Sequence, residues 1–168
     1  MKIGIISDTH DNFKSIKDAC KIFIDNGVKV VFHCGDLVSS ESFKFIDKRL
    51  KFNIVFGNVD DTSSLQNDIF KYKHISLLGY LGHIEINEKD ILIYHGDLEE
   101  KLLEYANSLK YDYIFTGHTH KKKDEIINNT RIINPGAHNF ENTNKIDRTI
   151  AILDLISDEL KYFFLIEE

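Results

Sequence analysis

Tyr113-Ile114-Phe115-Thr116-Gly117-His118-Thr119-His120 is a short apolar run that stops at a glycine and then presents two histidines two positions apart. Tyr113 to Thr116 reads as a buried strand, and Gly117 lets the backbone turn sharply out of it. The two imidazoles then sit at a strand's carboxyl end, where open α/β folds place their ligands. One such pair is weak evidence, because two loop histidines are more often unrelated than metal-binding. Its meaning depends on the other strand ends.

Upstream, Lys2 to Ile6 is an apolar run suited to a central strand, and it ends at Ser7-Asp8-Thr9-His10. Asn12 can cap a helix in which Ile16, Cys20, Phe23 and Ile24 recur at helical spacing, with Gly27 as its stop. Lys29 to Phe32 is a second strand, ending at His33-Cys34-Gly35-Asp36. Ser39 or Ser40 predicts a helix cap, with Glu41 in the first turn and Phe43, Ile46 and Leu50 on a buried face. Phe52 to Phe56 is a third strand, ending at Gly57-Asn58-Val59-Asp60-Asp61. Thr62 to Lys73 is the least legible segment, a short helix carrying Leu65, Ile69 and Phe70.

Beyond it the pattern changes to hairpins. Gly82 to Ile86 and Ile91 to Tyr94 flank Asn87-Glu88-Lys89-Asp90 and lead into His95-Gly96-Asp97. Leu98, Leu102, Tyr105, Ala106 and Leu109 mark an amphipathic helix before the Tyr113 strand. Ile126 to Ile133 predicts a hairpin turning at Asn128-Asn129, residues that tolerate positive φ. Asn134-Pro135-Gly136 has Pro and Gly in their type II turn places. A last hairpin pairs Ile150 to Ile156 with Leu160 to Ile166. A βαβαβ half followed by hairpins implies mixed sheets, two of them packed face to face with helices outside.

The bulk numbers narrow the function classes. A chain of 168 residues suggests one domain, 1–168, with a sizeable core. A net charge of −6 argues against a general nucleic-acid or anionic-membrane surface. Cys20 and Cys34 form no CxxC, so neither a disulfide scaffold nor a zinc ribbon is indicated. No run is long enough for a membrane span, and the N-terminal apolar run is too short for a signal peptide. The expectation is a cytoplasmic protein.

Collected from the strand ends, Asp8, His10, Asp36, Asn58, His95, His118 and His120 offer nitrogen and oxygen donors and no sulfur. Imidazole with carboxylate suits manganese, iron, nickel, cobalt or zinc better than magnesium or calcium. Seven ligands are too many for one ion and about right for two with a shared carboxylate. Two ions about 3.5–4 Å apart can hold a bridging hydroxide and stabilise both the attacking and leaving oxygens of a displacement at phosphorus.

Asp8-Thr9-His10, Gly35-Asp36, Gly57-Asn58, His95-Gly96 and Gly117-His118-Thr119-His120 resemble, in order, the five motifs of the calcineurin-like metallophosphoesterases. The likeness runs from Ile3 to about Gly136 and looks strongest to the small archaeal and bacterial phosphodiesterases of that superfamily. Any one motif is weak; five in order are strong. The resemblance implies a four-layer α/β/β/α sandwich with two mixed sheets. It implies that Asp8, His10 and His120 bind a first metal and that Asn58, His95 and His118 bind a second. Asp36 would bridge both, and Asp36, Asn58 and His95 would stand at the reaction centre. Manganese leads the expected ions, with nickel, iron, cobalt or zinc as alternatives.

Two departures stand out. Larger members place a histidine directly after Gly-Asn, where this chain has Val59, followed by the matching acid Asp60. Many small members read His-Gly-His where this chain reads His95-Gly96-Asp97. The implied activity is hydrolysis of a small phosphate diester by a metal-bridging hydroxide. The alternatives are a phosphomonoesterase, or a weakly active scaffold like the small subunit of retromer. Nucleic-acid and membrane partners are not expected; a homo-oligomer is compatible with the sequence.

Among the remaining residues, His33 reads as a packed residue near the site rather than a support for the ligands, and His74 and His83 as surface residues. His138 follows the Asn134 turn with a substrate role disfavoured, and Cys34 reads as a small buried hydrophobe. Lys121-Lys122-Lys123 reads as a solvated edge, and Arg131 and Arg148 as weak candidates for phosphate. Asn12 could both cap its helix and face the site.

Overall fold

The computed structural model describes residues 1–139 and 141–165. In chain order the elements are β1 (Lys2–Ile6), α1 (Phe13–Asp25), β2 (Val30–His33), β3 (Lys51–Ile54), α2 (Thr62–Asp68), β4 (Ile75–Leu77), β5 (Leu81–Ile86) and β6 (Lys89–Tyr94). They continue with α3 (Glu99–Asn107), β7 (Tyr113–Phe115), β8 (Lys123–Ile127), β9 (Thr130–Asn134), β10 (Thr149–Asp154) and β11 (Glu159–Phe164). A mixed sheet of order β11-β10-β1-β2-β3-β4 faces a second mixed sheet of order β5-β6-β7-β9-β8.

Alternation along the strands builds the layers. Ile3 and Ile5 of β1 join Phe32, Ile91, Ile93, Phe115 and Ile133 in a core between the sheets. Ile6, on the other face of β1, packs with Ile16, Ala19, Cys20 and Phe23 of α1. Strands covered on both faces read as continuous apolar runs, which is why β1 and β7 are legible as central strands. Leu92, Ile114 and Ile132 point outward from the second sheet to Ala106 of α3. The four-layer α/β/β/α sandwich is thus present, as expected.

α1 forms where the caps and spacing place it. The Asn12 side chain accepts from Ser15 N–H at 3.1 Å, and Gly27 takes φ +78° just past the end. Gly4 of β1 lets the helix sit close, because a Cβ there would lie 2.6 Å from the Phe23 ring. Truncating Phe23 to alanine would cost about 3–5 kcal/mol.

Several local expectations need correction. The helix expected after Ser39 is a 3-10 segment, Ser40–Phe45, and Ser39 makes no side-chain cap bond. Ile46 leaves it with ψ 121°, and Asp47 then takes the Arg49 N–H on its side chain and the Leu50 N–H on its carbonyl. These local bonds compete with helix continuation. Phe43, Ile46 and Leu50 are nevertheless buried. After α2 a second 3-10 segment, Ile69–Lys71, leaves Phe70 75% exposed, so it is not a core residue. Leu98 and Leu109 lie outside α3 and are exposed; Leu109 takes φ 59° just beyond its end. The short β4, parallel to β3, had no expected counterpart.

The hairpins fall close to their expected places. β5 and β6 turn on two residues, Asn87 and Glu88, both with positive φ. β8 and β9 turn on Asn128-Asn129 and run longer than expected, from Lys123 to Asn134. Gly136 has φ 91°, as a type II turn at Pro135-Gly136 requires. β10 pairs antiparallel with β1, which brings the last hairpin to the N-terminal sheet. Ile156 is exposed rather than in a strand, and Ile166 lies outside the described residues.

Candidate metal centre

The loops after β1, β2, β3, β6 and β7 converge at one end of the sandwich. Asp8, His10, Asp36 and Asn58 arrive from the N-terminal sheet; His95, His118 and His120 arrive from the other. The seven expected site residues come together. Oxygen and nitrogen atoms of Asp8, His10 and His120 lie within 4.8 Å of one another, and so do those of Asp8, Asp36 and His95. Asp8 therefore lies within reach of ligand-type atoms in both groups.

Asp36 sits between imidazoles. Its Oδ2 lies 3.4 Å from His95 Nε2 and 3.7 Å from His10 Nε2. The Asn58 amide oxygen lies 3.0 Å from His95 Nε2 and 3.1 Å from His118 Nδ1. On the other side, His120 Nε2 lies 3.4 Å from Asp8 Oδ1, and the His118 backbone N–H donates to both Asp8 oxygens at 3.1 and 3.2 Å.

This donor set is short of positive charge. His95 Nδ1–H donates to the Cys34 carbonyl at 2.8 Å, so a neutral His95 aims the Nε2 lone pair at the Asp36 carboxylate. Burial alone would lower the His95 pKa, but Asp36 and Asp8 outweigh it and push it up to about 9. Asp8 likewise raises His120. Burial works to raise Asp36, yet His95 and the Val59 N–H hold it below the usual carboxylate range. His10 Nε2 is buried without a hydrogen-bond partner among the described residues. Imidazole nitrogens converging on carboxylates, with the His10 Nε2 left over, fit divalent cations of borderline character. The fixed His95 tautomer is the support such a ligand needs.

The backbone around the site is strained. Five of the seven expected residues take positive φ: Asp8 (52°), His10 (45°), Asp36 (57°), His118 (65°) and His120 (56°). Each left-handed non-glycine residue costs roughly 1–2 kcal/mol, and such strain clusters at functional sites. Glycines permit the rest: a Cβ on Gly35 would lie 2.7 Å from His95 Nδ1, and one on Gly57 would collide with Asp36.

Buried side chains cross-link the loops, and the sequence did not show this. His33 Nδ1 accepts from Gly35 N–H at 3.3 Å, so its Nε2–H faces Thr9 Oγ1 at 3.0 Å. It therefore joins the Asp8 and Asp36 loops, rather than merely packing beside them; burial lowers its pKa to about 4. Asp60 accepts three backbone N–H groups, from Asp36, Val38 and Gly57. Burial raises the Asp60 pKa, with those N–H groups opposing. A D at the third place after Gly57 was visible, but its partners were not.

The other candidates fall away from the site. His138 is buried behind Asp8, its N–H donating to the Asp8 carbonyl at 2.9 Å, so it does not reach substrate. Asn12 spends its amide on Ser15 and on the His138 carbonyl. Cys34 is buried, its thiol raised by burial, and only its carbonyl serves the site. Arg131 forks onto Asp124 and reaches Asp158 at the far end. Arg148 Nε donates to the Thr143 carbonyl. His74 is half-buried against the Ile46 carbonyl, and His83 is exposed beside Asp90. Lys122 lies over the Tyr162 and Phe164 rings and Lys123 pairs with Glu125. A cleft of about 570 Å³ opens beside His118, lined by Asp97, Glu99, Leu102, Thr119 and Lys121.

The family model of the calcineurin-like phosphoesterase superfamily domain matches residues 1–158. The chain belongs to that superfamily and is a metal-dependent phosphoesterase. It is 35% identical over 139 residues to a phosphodiesterase of Methanocaldococcus jannaschii, covering 81% of this chain and 83% of that one. It is 24% identical over 164 residues to a probable metallophosphoesterase of Bacillus subtilis, covering 94% and 86%. A solved archaeal phosphodiesterase superposes with a TM-score of 0.86 at 31% identity, over 98% of this chain and all (100%) of that one. Vps29 of Entamoeba histolytica, solved with zinc, superposes at 0.60 with 18% identity over 97% of each, a likeness of fold alone. Among the described residues, no helix is long and apolar enough to cross a membrane.

Proposed function

We propose that the chain is a phosphodiesterase acting through two divalent ions, manganese first among them. Asp8, His10 and His120 would hold one ion, Asn58, His95 and His118 the other, and Asp36 both. The observation that carries this reading is His95, whose Nδ1–H is held by the Cys34 carbonyl at 2.8 Å and whose Nε2 lies 3.4 Å from the Asp36 carboxylate. Ions bound there would ionise a shared water for attack at phosphorus and offset charge on the phosphoryl oxygens.

The chain's own residues fix the geometry of that step. Asp36 is held by the Val59 N–H at 3.2 Å, and Asp8 by the His118 N–H, so neither carboxylate needs to reorganise. Val59 leaves the place after Asn58 without a proton donor, so the leaving oxygen takes its proton from water. Esters with good leaving groups are therefore the better substrates, and the cleft beside His118 has room for one ester arm of a small diester. The chain works as one domain, 1–168, in the cytoplasm, where Cys20 and Cys34 stay as the free thiols they are here.

The test is hydrolysis of bis(4-nitrophenyl) phosphate and of the matching monoester after chelation, with manganese, nickel, zinc or magnesium added back. Diester turnover restored by a transition ion supports the reading. Preference for the monoester would make it a phosphomonoesterase. Silence with every ion, in a folded protein, would leave a scaffold of the Vps29 kind.

A further inference from the structure

We propose that Asp60 is the positioning residue for Asp36: its carboxylate holds the Asp36-Leu37-Val38 turn in a left-handed course and ties it to the Gly57-Asn58 loop. The inference rests on the reading of Asp36 as the ligand shared by two ions.

Asp60 Oδ2 accepts from Asp36 N–H at 3.1 Å and from Gly57 N–H at 2.7 Å, while Oδ1 accepts from Val38 N–H at 2.6 Å. One carboxylate thus gathers three backbone donors from two loops. Two of those donors belong to residues with positive φ, Asp36 at 57° and Val38 at 86°. For aspartate that conformation is uncommon; for a β-branched valine it is a true outlier. Left alone, Val38 would relax to negative φ and carry Asp36 with it. A second tie reinforces the first, since the Asp61 N–H donates to the Val38 carbonyl at 2.9 Å. The Val59 N–H between them donates to Asp36 Oδ1 at 3.2 Å, so the Asn58 loop also fixes the Asp36 side chain. Asp60 thereby sets the separation of Asp36 and Asn58, residues read as sharing an ion. It touches neither the proposed ions nor substrate.

An amide cannot replace the carboxylate. Asp60→Asn keeps the shape but turns an NH₂ toward at least one N–H donor, so one of the three bonds must break. The experiment is Mn²⁺ titration of the chelated protein, followed by electron paramagnetic resonance, with circular dichroism reporting the fold. Asp60→Asn is expected to stay folded, to bind Mn²⁺ about ten- to a hundredfold more weakly, and to lose the spectrum of a coupled ion pair. Adding Val38→Gly should restore part of both, because glycine takes φ near +86° without strain. Wild-type affinity and coupling in Asp60→Asn would overturn the inference. So would a Val38→Gly that restores nothing, whether the single variant is weakened or fails to fold. Asp36→Asn is measured in parallel. If it too keeps two coupled ions, the ligand reading itself fails; if it loses them while Asp60→Asn keeps them, only the role of Asp60 fails.

Discussion

Left-handed residues occur at both ends of this sandwich, for different reasons. At the end away from the site they are Leu109, just past α3, and Asn87, Glu88, Asn128 and Asp158, the last four each in an exposed hairpin turn. At the site end they include Asp8, Asp36 and Val38, in loops whose N–H groups turn inward to side-chain or backbone acceptors. The far turns satisfy their strands: a two-residue turn with positive φ matches strand twist. The site loops satisfy no strand. Their strain is held by His33, Asp60 and the Cys34 carbonyl, and what it produces is convergence of donors. The same backbone conformation is turn chemistry at one end and stored positioning at the other.

The largest effect expected from this contrast is at Asp36, the carboxylate proposed to be shared. Asp36→Asn removes several kcal/mol of charge stabilisation, so diester kcat should fall on the order of a thousandfold, with His95→Ala similar. Full metal-dependent turnover in His95→Ala would remove it from the ligand set.

Next comes the brace. His33→Leu cuts the link between Thr9 and Gly35 and should weaken metal binding about ten- to a hundredfold, measured by titration against a chelator. An unchanged affinity would reduce His33 to a packed residue.

His33 also sets a pH dependence in the ion-free protein. Its folded pKa of about 4 lies below the unfolded value near 6.5, so the unfolded chain takes the proton first as pH falls. The stability is complete above about 6.5 and is lost progressively toward 4, by on the order of 3 kcal/mol. Buried His138, lowered to about 3, acts in the same direction. Urea midpoints from pH 7 to 4 should therefore slope less steeply in His33→Leu than in the wild type.

Val59→His tests the missing proton donor. Turnover of an alkyl diester should rise several-fold while the nitrophenyl diester changes little; no change would show that leaving-group protonation is not the limit. The smallest effect belongs to the far end. Glu88→Gly at φ 60° removes roughly 1 kcal/mol of left-handed strain, partly offset by glycine's freedom in the unfolded chain. Its melting temperature should rise by a degree or two with activity unchanged.

The contrast also explains what the sequence could reveal. Asn87-Glu88 and Asn128-Asn129 carry turn residues, and Gly35, Gly57 and Gly117 stand beside ligand-type residues at the ends of apolar runs. Those signals are local, so the strands other than the short β4, the hairpins and the grouping of seven strand-end residues were legible. The 3-10 course of Ser40–Phe45 was not, because the spacing of Phe43, Ile46 and Leu50 also fits a helix. Only the bonds made by Asp47 distinguish the two. Nor were the parts of His33 and Asp60 legible, since the partners that join one loop to another, Thr9 and Asp36, lie 24 positions away along the chain.

The ligand-type residues come from both sheets, whose shared core is apolar, as at Phe32 and Phe115 with rings 5.6 Å apart, and which are tied at the site end by His95 on the Cys34 carbonyl and the His118 N–H on Asp8. On the proposed ligand assignment, an ion gripped by Asp36 from one sheet and His95 from the other would act as a removable cross-link between the two leaves of the sandwich. Each tenfold of free ion above its dissociation constant then adds about 1.4 kcal/mol to whatever it costs to part them. The ion supply of the cell would thereby become a setting for how readily this end of the protein opens, read by hydrogen exchange or proteolysis, as well as for how fast it works.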